Sequence, residues 1–280
     1  MVDDLATTAE NTWCPGCGNF GILNALKKAV HRLEEKGVPR ERLAHVTGIG
    51  CHAKIFDYMG LSGFAALHGR AVATAQGIQL ANPALKVIAS VGDGDTLGEG
   101  LEHVMFAAKR NSDITVMVHE NGVYALTTGQ VTPTSEKGFR GPSTPLGNPE
   151  EPFNPLVLML EAGATFVARG YSMKLDHLAD LIVRAVEHPG FSFIDILQPC
   201  VTFHNTYDPY NKSTELMEKI PGTFEEALAA ARRKDRLPLG IFYETVKTPY
   251  HKELEGDRNP AAQRVSREER LEIVRKLTRT

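Results

Sequence analysis

Four cysteines carry the most chemistry in this sequence: Cys14, Cys17, Cys51 and Cys200. Four is the number of thiolates that closes a tetrahedral metal site or holds one iron–sulfur cluster. Cys14 and Cys17 share the turn Trp13-Cys14-Pro15-Gly16-Cys17-Gly18, Cys51 follows Gly48-Ile49-Gly50, and Cys200 follows Pro199. The thiols alone fit zinc as well as iron, and they also fit two buried free thiols beside a chance Cys-x-x-Cys. A second constellation is built on oxygen. Gly92-Asp93-Gly94 stands between an apolar run and a helical pattern. Glycines there let the backbone come close to a phosphate, and the free N–H groups of a helix start attract the anion. Asp93 offers a hard oxygen to Mg²⁺, which shares its shell with phosphate. Asn121, 28 residues on, adds a side-chain carbonyl, and the peptide oxygen of Val123 completes the protein's share of an octahedron. This is not the dinucleotide fingerprint, whose third glycine would stand at Leu97; Gly98 is one place late.

These groups need a scaffold. The chain has 280 residues, 42% hydrophobic and 23% charged, enough for a large core without disulfides. A net charge of −3 and a pI near 6.4 argue against nucleic acid or an anionic membrane as the main partner. No apolar run reaches membrane-spanning length, and the acidic start Met1-Val2-Asp3-Asp4 lacks the apolar core of an export leader. The expectation is a cytoplasmic protein with reduced thiols.

Alternating helix and strand signals predict an α/β fold, a mostly parallel sheet with helices on both faces. Helical spacing runs from Ile22 to Leu33 and is closed by Gly37 and Pro39; strands are expected at Leu43–Thr47, Lys86–Val91, Ile114–His119 and Phe191–Leu197. Further helices are expected over Ala71–Leu80, through Leu97, Leu101, Val104, Met105 and Ala108, and over Leu175–Val186. Cys51, Asp93, Asn121 and Cys200 then all follow strand C-termini, the edge where an open parallel sheet binds ligands. Six of the sixteen prolines fall between Val131 and Pro155, marking a functional loop or an interaction arm. Residues 1–210 are expected to form the binding domain. Residues 211–280 are expected as a peripheral extension, with Leu271, Val274 and Leu277 on one helical stripe.

Gly-Asp-Gly followed about thirty residues later by Asn, each after its own strand, is the pattern of thiamine diphosphate enzymes. With Trp-Cys-Pro-Gly-Cys-Gly from Trp13, Gly-Ile-Gly-Cys ending at Cys51, His68-Gly69-Arg70, and Tyr124-Ala125-Leu126-Thr127-Thr128-Gly129-Gln130, the chain resembles the β subunit of 2-oxoacid:ferredoxin oxidoreductases over about residues 12 to 205. The resemblance implies the diphosphate-binding half of a thiamine diphosphate fold. Cys14, Cys17, Cys51 and Cys200 would hold one 4Fe–4S cluster, and Asp93, Asn121 and the Val123 carbonyl would hold Mg²⁺. Gly92, Gly94, Asp95, Tyr124, Ala125 and Leu126 would border the cofactor. His52, Lys54, His68, Arg70 and Thr128 would stand at the reacting end, with Thr127 and Gln130 beside them. His119 and Glu120 suggest an acid/base pair, although His119 ends a strand and is expected to pack.

The implied activity is oxidative decarboxylation of a 2-oxoacid to acyl-CoA, with electrons leaving one at a time to ferredoxin. Lys54 or His52 facing a distal carboxylate would favour 2-oxoglutarate over pyruvate. No aminopyrimidine-binding half with its activating glutamate is found, so an α subunit is expected to bring it. Two other readings are a non-redox thiamine diphosphate decarboxylase or synthase, and a zinc-stabilised interaction subunit without chemistry of its own.

Overall fold

The computed structural model of the protein describes residues 4–278; the Met1–Asp3 start considered above as a leader lies outside them. The first half runs α1 (Asn19–Glu35), β1 (Leu43–Thr47), α2 (Ile55–Tyr58), β2 (Gly63–Ala65), α3 (Ala71–Ala81), β3 (Lys86–Gly92), a π-turn (Gly94–Gly98), α4 (Leu101–Arg110), β4 (Ile114–Glu120), β5 (Val123–Tyr124) and β6 (Gln130–Val131). The second half runs α5 (Pro155–Glu161), β7 (Phe166–Tyr171), α6 (Leu175–Glu187), β8 (Ser192–Leu197), α7 (Tyr207–Ser213), β9 (Thr214–Leu216), α8 (Phe224–Ala231), β10 (Leu237–Glu244), α9 (Tyr250–Glu255) and α10 (Arg267–Leu277).

Eight strands form one sheet in the order β2-β1-β3-β4-β8-β7-β10-β9. All neighbours pair in parallel except β10 against β7. Strands β1, β7 and β8 are buried along their whole length, and β3 and β4 all but their end residues Lys86 and Glu120, as a sheet covered on both faces requires. Successive residues serve opposite cores. Ile88 joins residues of α1 and α6 on one face, while Val87, Ala89 and Val91 join α3, α4, α5 and α8 on the other.

The expected strands and helices lie where periodicity places them, with one exception. The helix running through Leu97 is broken: Leu97 lies in the π-turn, and α4 starts only at Leu101, because Gly98-Glu99-Gly100 interrupts it. Nor do residues beyond 210 stay peripheral, since β9 and β10 extend the same sheet and bury Leu239 and Phe242. Pro238 and Gly240 inside β10 hide its strand signal. Helix α10, by contrast, has no buried residue. No helix among the described residues is long and apolar enough to cross a membrane.

Candidate functional site

Strands β1, β3, β4 and β8 are consecutive neighbours, so the turns after Thr47, Gly92, Glu120 and Leu197 meet at one edge. The start of α1 is stitched to the same edge. The Gly18 amide donates to the Pro199 carbonyl at 3.1 Å, and a Cβ on Gly18 would lie 3.0 Å from the proline ring. Trp13 is buried against Phe20 and Tyr58, and its indole N–H donates to the Cys51 carbonyl at 2.7 Å. Three segments distant in sequence are thereby pinned together, and all four cysteines line one cavity of about 190 Å³, shared with Lys54, Asn121 and Gln198.

The thiols feel one another. Burial pushes Cys17 up to about 11, and the charges of Cys200, Cys51 and Cys14 add to that. Burial also raises Cys51, against the pull of Lys54. Holding all four as thiolates therefore calls for a positively charged group between them. Thr202 Oγ1 donates to Cys14 Sγ at 3.3 Å, and Gln198 Nε2 to Cys17 Sγ at 3.7 Å. One zinc ion, with Zn–S about 2.3 Å, would draw thiolates to roughly 3.8 Å from each other. Four thiols lining one cavity offer the donor set of either zinc or an iron–sulfur cluster. Thiols set around a cavity suit a cluster that places its own atoms between them.

A second cavity, of about 70 Å³, adjoins the first and shares Cys51, Asn121, Ala125 and Leu126 with it. Buried Asp93 accepts through Oδ2 from Thr132 Oγ1 and Thr134 Oγ1, both at 2.6 Å, and from the Gly122 amide at 3.2 Å. Burial outweighs these donors and holds its carboxyl above the usual range, so a cation there would supply the compensation that solvent does not. Asn121 Oδ1 accepts from the Val123 amide at 3.0 Å and keeps a second lone pair. Asp95 ties two turns together, accepting from the amides of Gly69 (2.7 Å) and Ile49 (3.3 Å). Burial alone would raise Asp95, but His52, the Gly69 N–H and His68 together hold it below the ordinary value.

Around this cavity His52 Nε2, His68 Nδ1, Thr96 Oγ1 and the carboxylate oxygen Asp95 Oδ2 are buried without hydrogen-bond partners. His52 Nε2 stands 3.5 Å from Asp95 Oδ2 and His68 Nδ1 3.4 Å from Asp95 Oδ1. The glycines bring the backbone in: a Cβ on Gly92 would lie 2.7 Å from the His52 ring, and one on Gly94 2.3 Å from Tyr124, whose hydroxyl donates to the Gly94 carbonyl. Two imidazoles and a hydroxyl with unused hydrogen-bonding capacity beside a glycine turn fit a diphosphate, and Asp93, Asn121 and the Val123 carbonyl fit the hard cation that accompanies it. A cavity this small seats the charged tail of such a cofactor and not its rings.

Of the residues singled out in the sequence, His52, His68, Gly92, Asp93, Gly94, Asp95, Asn121, Val123, Tyr124, Ala125, Leu126 and Thr127 line the second cavity, and Lys54 lines the first. Arg70 and Thr128 line neither. The Arg70 guanidinium is spent on the carbonyls of Glu99 (2.9 Å) and Gly69 (3.3 Å), clamping one turn to another. Thr128 sits exposed at φ +80°, a strained position for a β-branched residue, at the tip of the β5–β6 hairpin. His119 is fully buried, bonded through Nδ1 to Asn19 Oδ1, and burial pushes it well below its ordinary value.

Sequence reasoning missed Thr132, Thr134, Gln198 and Thr202. The cluster Thr132-Pro133-Thr134-Ser135 was the available signal for the first two, but the prolines around it read as a loop. A buried ion pair beside Glu120, Arg169 with Asp195, was missed as well. Arg169 Nε donates to Asp195 Oδ2 at 2.8 Å, and burial beside Asp195 raises Glu120 well above the usual carboxyl range.

The chain matches the family model described as thiamine pyrophosphate enzyme, C-terminal TPP binding domain, over residues 48–196. Residues 200–258 match a second model, that of the C terminal of the pyruvate ferredoxin oxidoreductase beta subunit. A 2-oxoacid:ferredoxin oxidoreductase subunit beta from Saccharolobus solfataricus is 42% identical, over 90% of this chain and 87% of the relative. The protein of the same name from Sulfolobus sp is 41% identical, over 96% and 95%. Among solved structures, a 2-oxoglutarate:ferredoxin oxidoreductase from Magnetococcus marinus, with 2-oxoglutarate, coenzyme A and succinyl-CoA bound, superposes with a TM-score of 0.88 at 35% identity, covering 97% of this chain and 94% of that one.

Proposed function

Because this chain belongs to the family of 2-oxoacid:ferredoxin oxidoreductase β subunits, we propose that it carries the diphosphate-binding and electron-transfer half of a CoA-dependent 2-oxoacid oxidation. The reaction converts a 2-oxoacid, 2-oxoglutarate before pyruvate, to acyl-CoA and carbon dioxide and passes the electrons to ferredoxin. The observation that carries this reading is the common wall: Cys51, Asn121, Ala125 and Leu126 line both the thiol cavity and the glycine-turn cavity. Two cofactors in those cavities would be neighbours.

In this reading Cys14, Cys17, Cys51 and Cys200 hold a 4Fe–4S cluster, and Asp93, Asn121 and the Val123 carbonyl hold Mg²⁺. The turn Gly92–Asp95, with His52 and His68, takes the diphosphate. When bound, thiamine diphosphate supplies the electron-accepting carbon chemistry that makes loss of carbon dioxide from a keto acid feasible. The chain's own residues bind and orient. Lys54 Nζ, bonded among the described residues only to the Thr12 hydroxyl at 2.9 Å, offers its charge to a distal substrate carboxylate. Tyr124 and the hairpin it starts border the reacting end, while Arg70 and Thr128 act through the backbone of the turns they belong to. The small second cavity supports a site completed by an α subunit, which brings the ring-binding half and its glutamate. The setting is the cytoplasm.

Anaerobic purification of the co-expressed pair tests this. Iron and acid-labile sulfide near four per β chain, a brown visible spectrum, and 2-oxoacid-dependent ferredoxin reduction are expected. A colourless active enzyme would establish the non-redox alternative, and stoichiometric zinc without activity the structural one. Full 2-oxoacid oxidation by this chain alone would refute the shared site.

A further inference from the structure

Gln198 belongs to no motif, yet it touches both candidate cofactor sites. It follows β8 directly, is 1% exposed, and its amide donates to the Glu120 carbonyl at 2.8 Å, which fixes it beside the end of β4. Its side chain has only one possible orientation. Nε2 lies 2.7 Å from the Pro199 carbonyl, which can only accept, so the amide nitrogen must be there. Oε1 is then left facing Asn121 at 2.8 Å, and Asn121 must present Nδ2 to it. Asn121 Oδ1 is thereby turned the other way, where the Val123 amide independently demands an oxygen. The same Gln198 Nε2 reaches Cys17 Sγ at 3.7 Å. A continuous path results, from Asn121 Nδ2–H to Gln198 Oε1, and from Gln198 Nε2–H to Cys17 Sγ.

We propose that Gln198 is a positioning residue that presents Asn121 Oδ1 to the cation of the diphosphate site and couples that site to the cysteine-held cluster. The inference rests on the function proposed above. A cation on Oδ1 makes Nδ2–H a stronger donor, which polarises the Gln198 amide and strengthens its N–H toward sulfur. Stronger hydrogen bonds to cluster sulfurs favour the electron-rich, reduced state and raise the reduction potential. By linkage, reduction of the cluster tightens Mg²⁺–thiamine diphosphate binding by the same factor.

The test uses the assembled enzyme with Gln198→Met, which keeps the volume and loses every side-chain polar contact, and Gln198→Glu, which still accepts from Asn121 and, when ionised, donates to neither Pro199 nor Cys17. The cluster potential is followed by EPR-monitored titration with and without Mg²⁺–thiamine diphosphate, and Mg²⁺ affinity is measured at saturating cofactor. Loading the wild type is expected to raise the potential by about 28 mV more than loading Gln198→Met, equivalent to about threefold coupling at 59 mV per decade. Mg²⁺ affinity should fall about tenfold or more in Gln198→Met. Gln198→Glu should keep Mg²⁺ affinity within about threefold and lose the coupled shift; it decides the question alone if Gln198→Met fails to assemble. Equal shifts and equal affinities in wild type and variants would overturn the role of Gln198. Wild type without iron or without bound cofactor would instead overturn the underlying reading, and the two failures are distinct.

Discussion

Replacing Lys54 by Met keeps most of the aliphatic stem in the thiol cavity and removes one charge. Among the described residues Lys54 has no carboxylate partner, and its one contact is the neutral Thr12 hydroxyl. Two unit charges about 4 Å apart attract by about 4 kcal/mol at an effective dielectric near 20. Stripping water from both reduces this, and a hydrogen bond to a charged group is worth about 1.5–3 kcal/mol net. That interval corresponds to about a ten- to hundredfold loss of kcat/KM for 2-oxoglutarate, expressed mainly in KM because the contact is present before and during the chemical step. Lys54 also lowers the proton affinity of Cys51, an effect that every substrate shares. Pyruvate, which has no distal carboxylate, is therefore the control and should change by less than about threefold. The assay is anaerobic reduction of ferredoxin or a viologen dye with each acid in turn. Equal losses for both substrates would refute the assignment of Lys54 to the distal carboxylate.

Three further outcomes follow from the geometry. Buried His45, bonded to Ser90 Oγ at 2.9 Å, is pushed down to about 4 from 6.5 by burial. The unfolded chain therefore binds a proton in that window while the native protein does not, so stability is full above pH 6.5 and falls as pH drops toward 4, by about 3 kcal/mol. His45→Gln should abolish that part of the acid slope in urea titrations across this range, and an unchanged slope would contradict it. Arg169→Met strands buried Asp195 without its cation and should cost about 3–5 kcal/mol, whereas Arg169→Met with Asp195→Leu should regain most of it; a single variant within about 1 kcal/mol of wild type in denaturant melts would sink this. Gly94→Ala forces a methyl against the Tyr124 ring and should cost about 1–3 kcal/mol, lowering Tm by several degrees and abolishing cofactor-induced stabilisation in thermal melts. Retention of full cofactor-induced stabilisation would show that the turn does not seat the diphosphate.

The parallel centre of the fold was legible because β1, β3 and β4 are buried on both faces and read as mostly apolar runs, interrupted only by residues such as His45, Ser90 and Thr115 that find partners inside the fold. Strand β7 was harder to see, since Arg169 interrupts its apolar pattern, and the sequence offers no sign that Asp195 neutralises it 26 residues away. Strand β10 carries a proline and a glycine, which normally argue against a strand. The site was legible where residue type and local spacing suffice, as in Cys-x-x-Cys and Gly-Asp-Gly. It was illegible where a polar side chain comes from a remote loop. Thr132 and Thr134 reach Asp93 across about forty residues, and an isolated glutamine such as Gln198 has no local pattern at all.

The stitching of the α1 start to the turn after β8 has a consequence for biosynthesis. Gln198 and Cys17 are separated by 181 residues, and the Gly18–Pro199 bond spans a similar length of chain. On the ribosome, Cys14 and Cys17 emerge as a bare dithiol long before Cys200 exists, able to capture whatever soft metal is at hand. On the proposed reading, the four thiols come together only after β8 has entered the sheet beside β4, so loading of a cluster would have to wait for synthesis to pass Cys200.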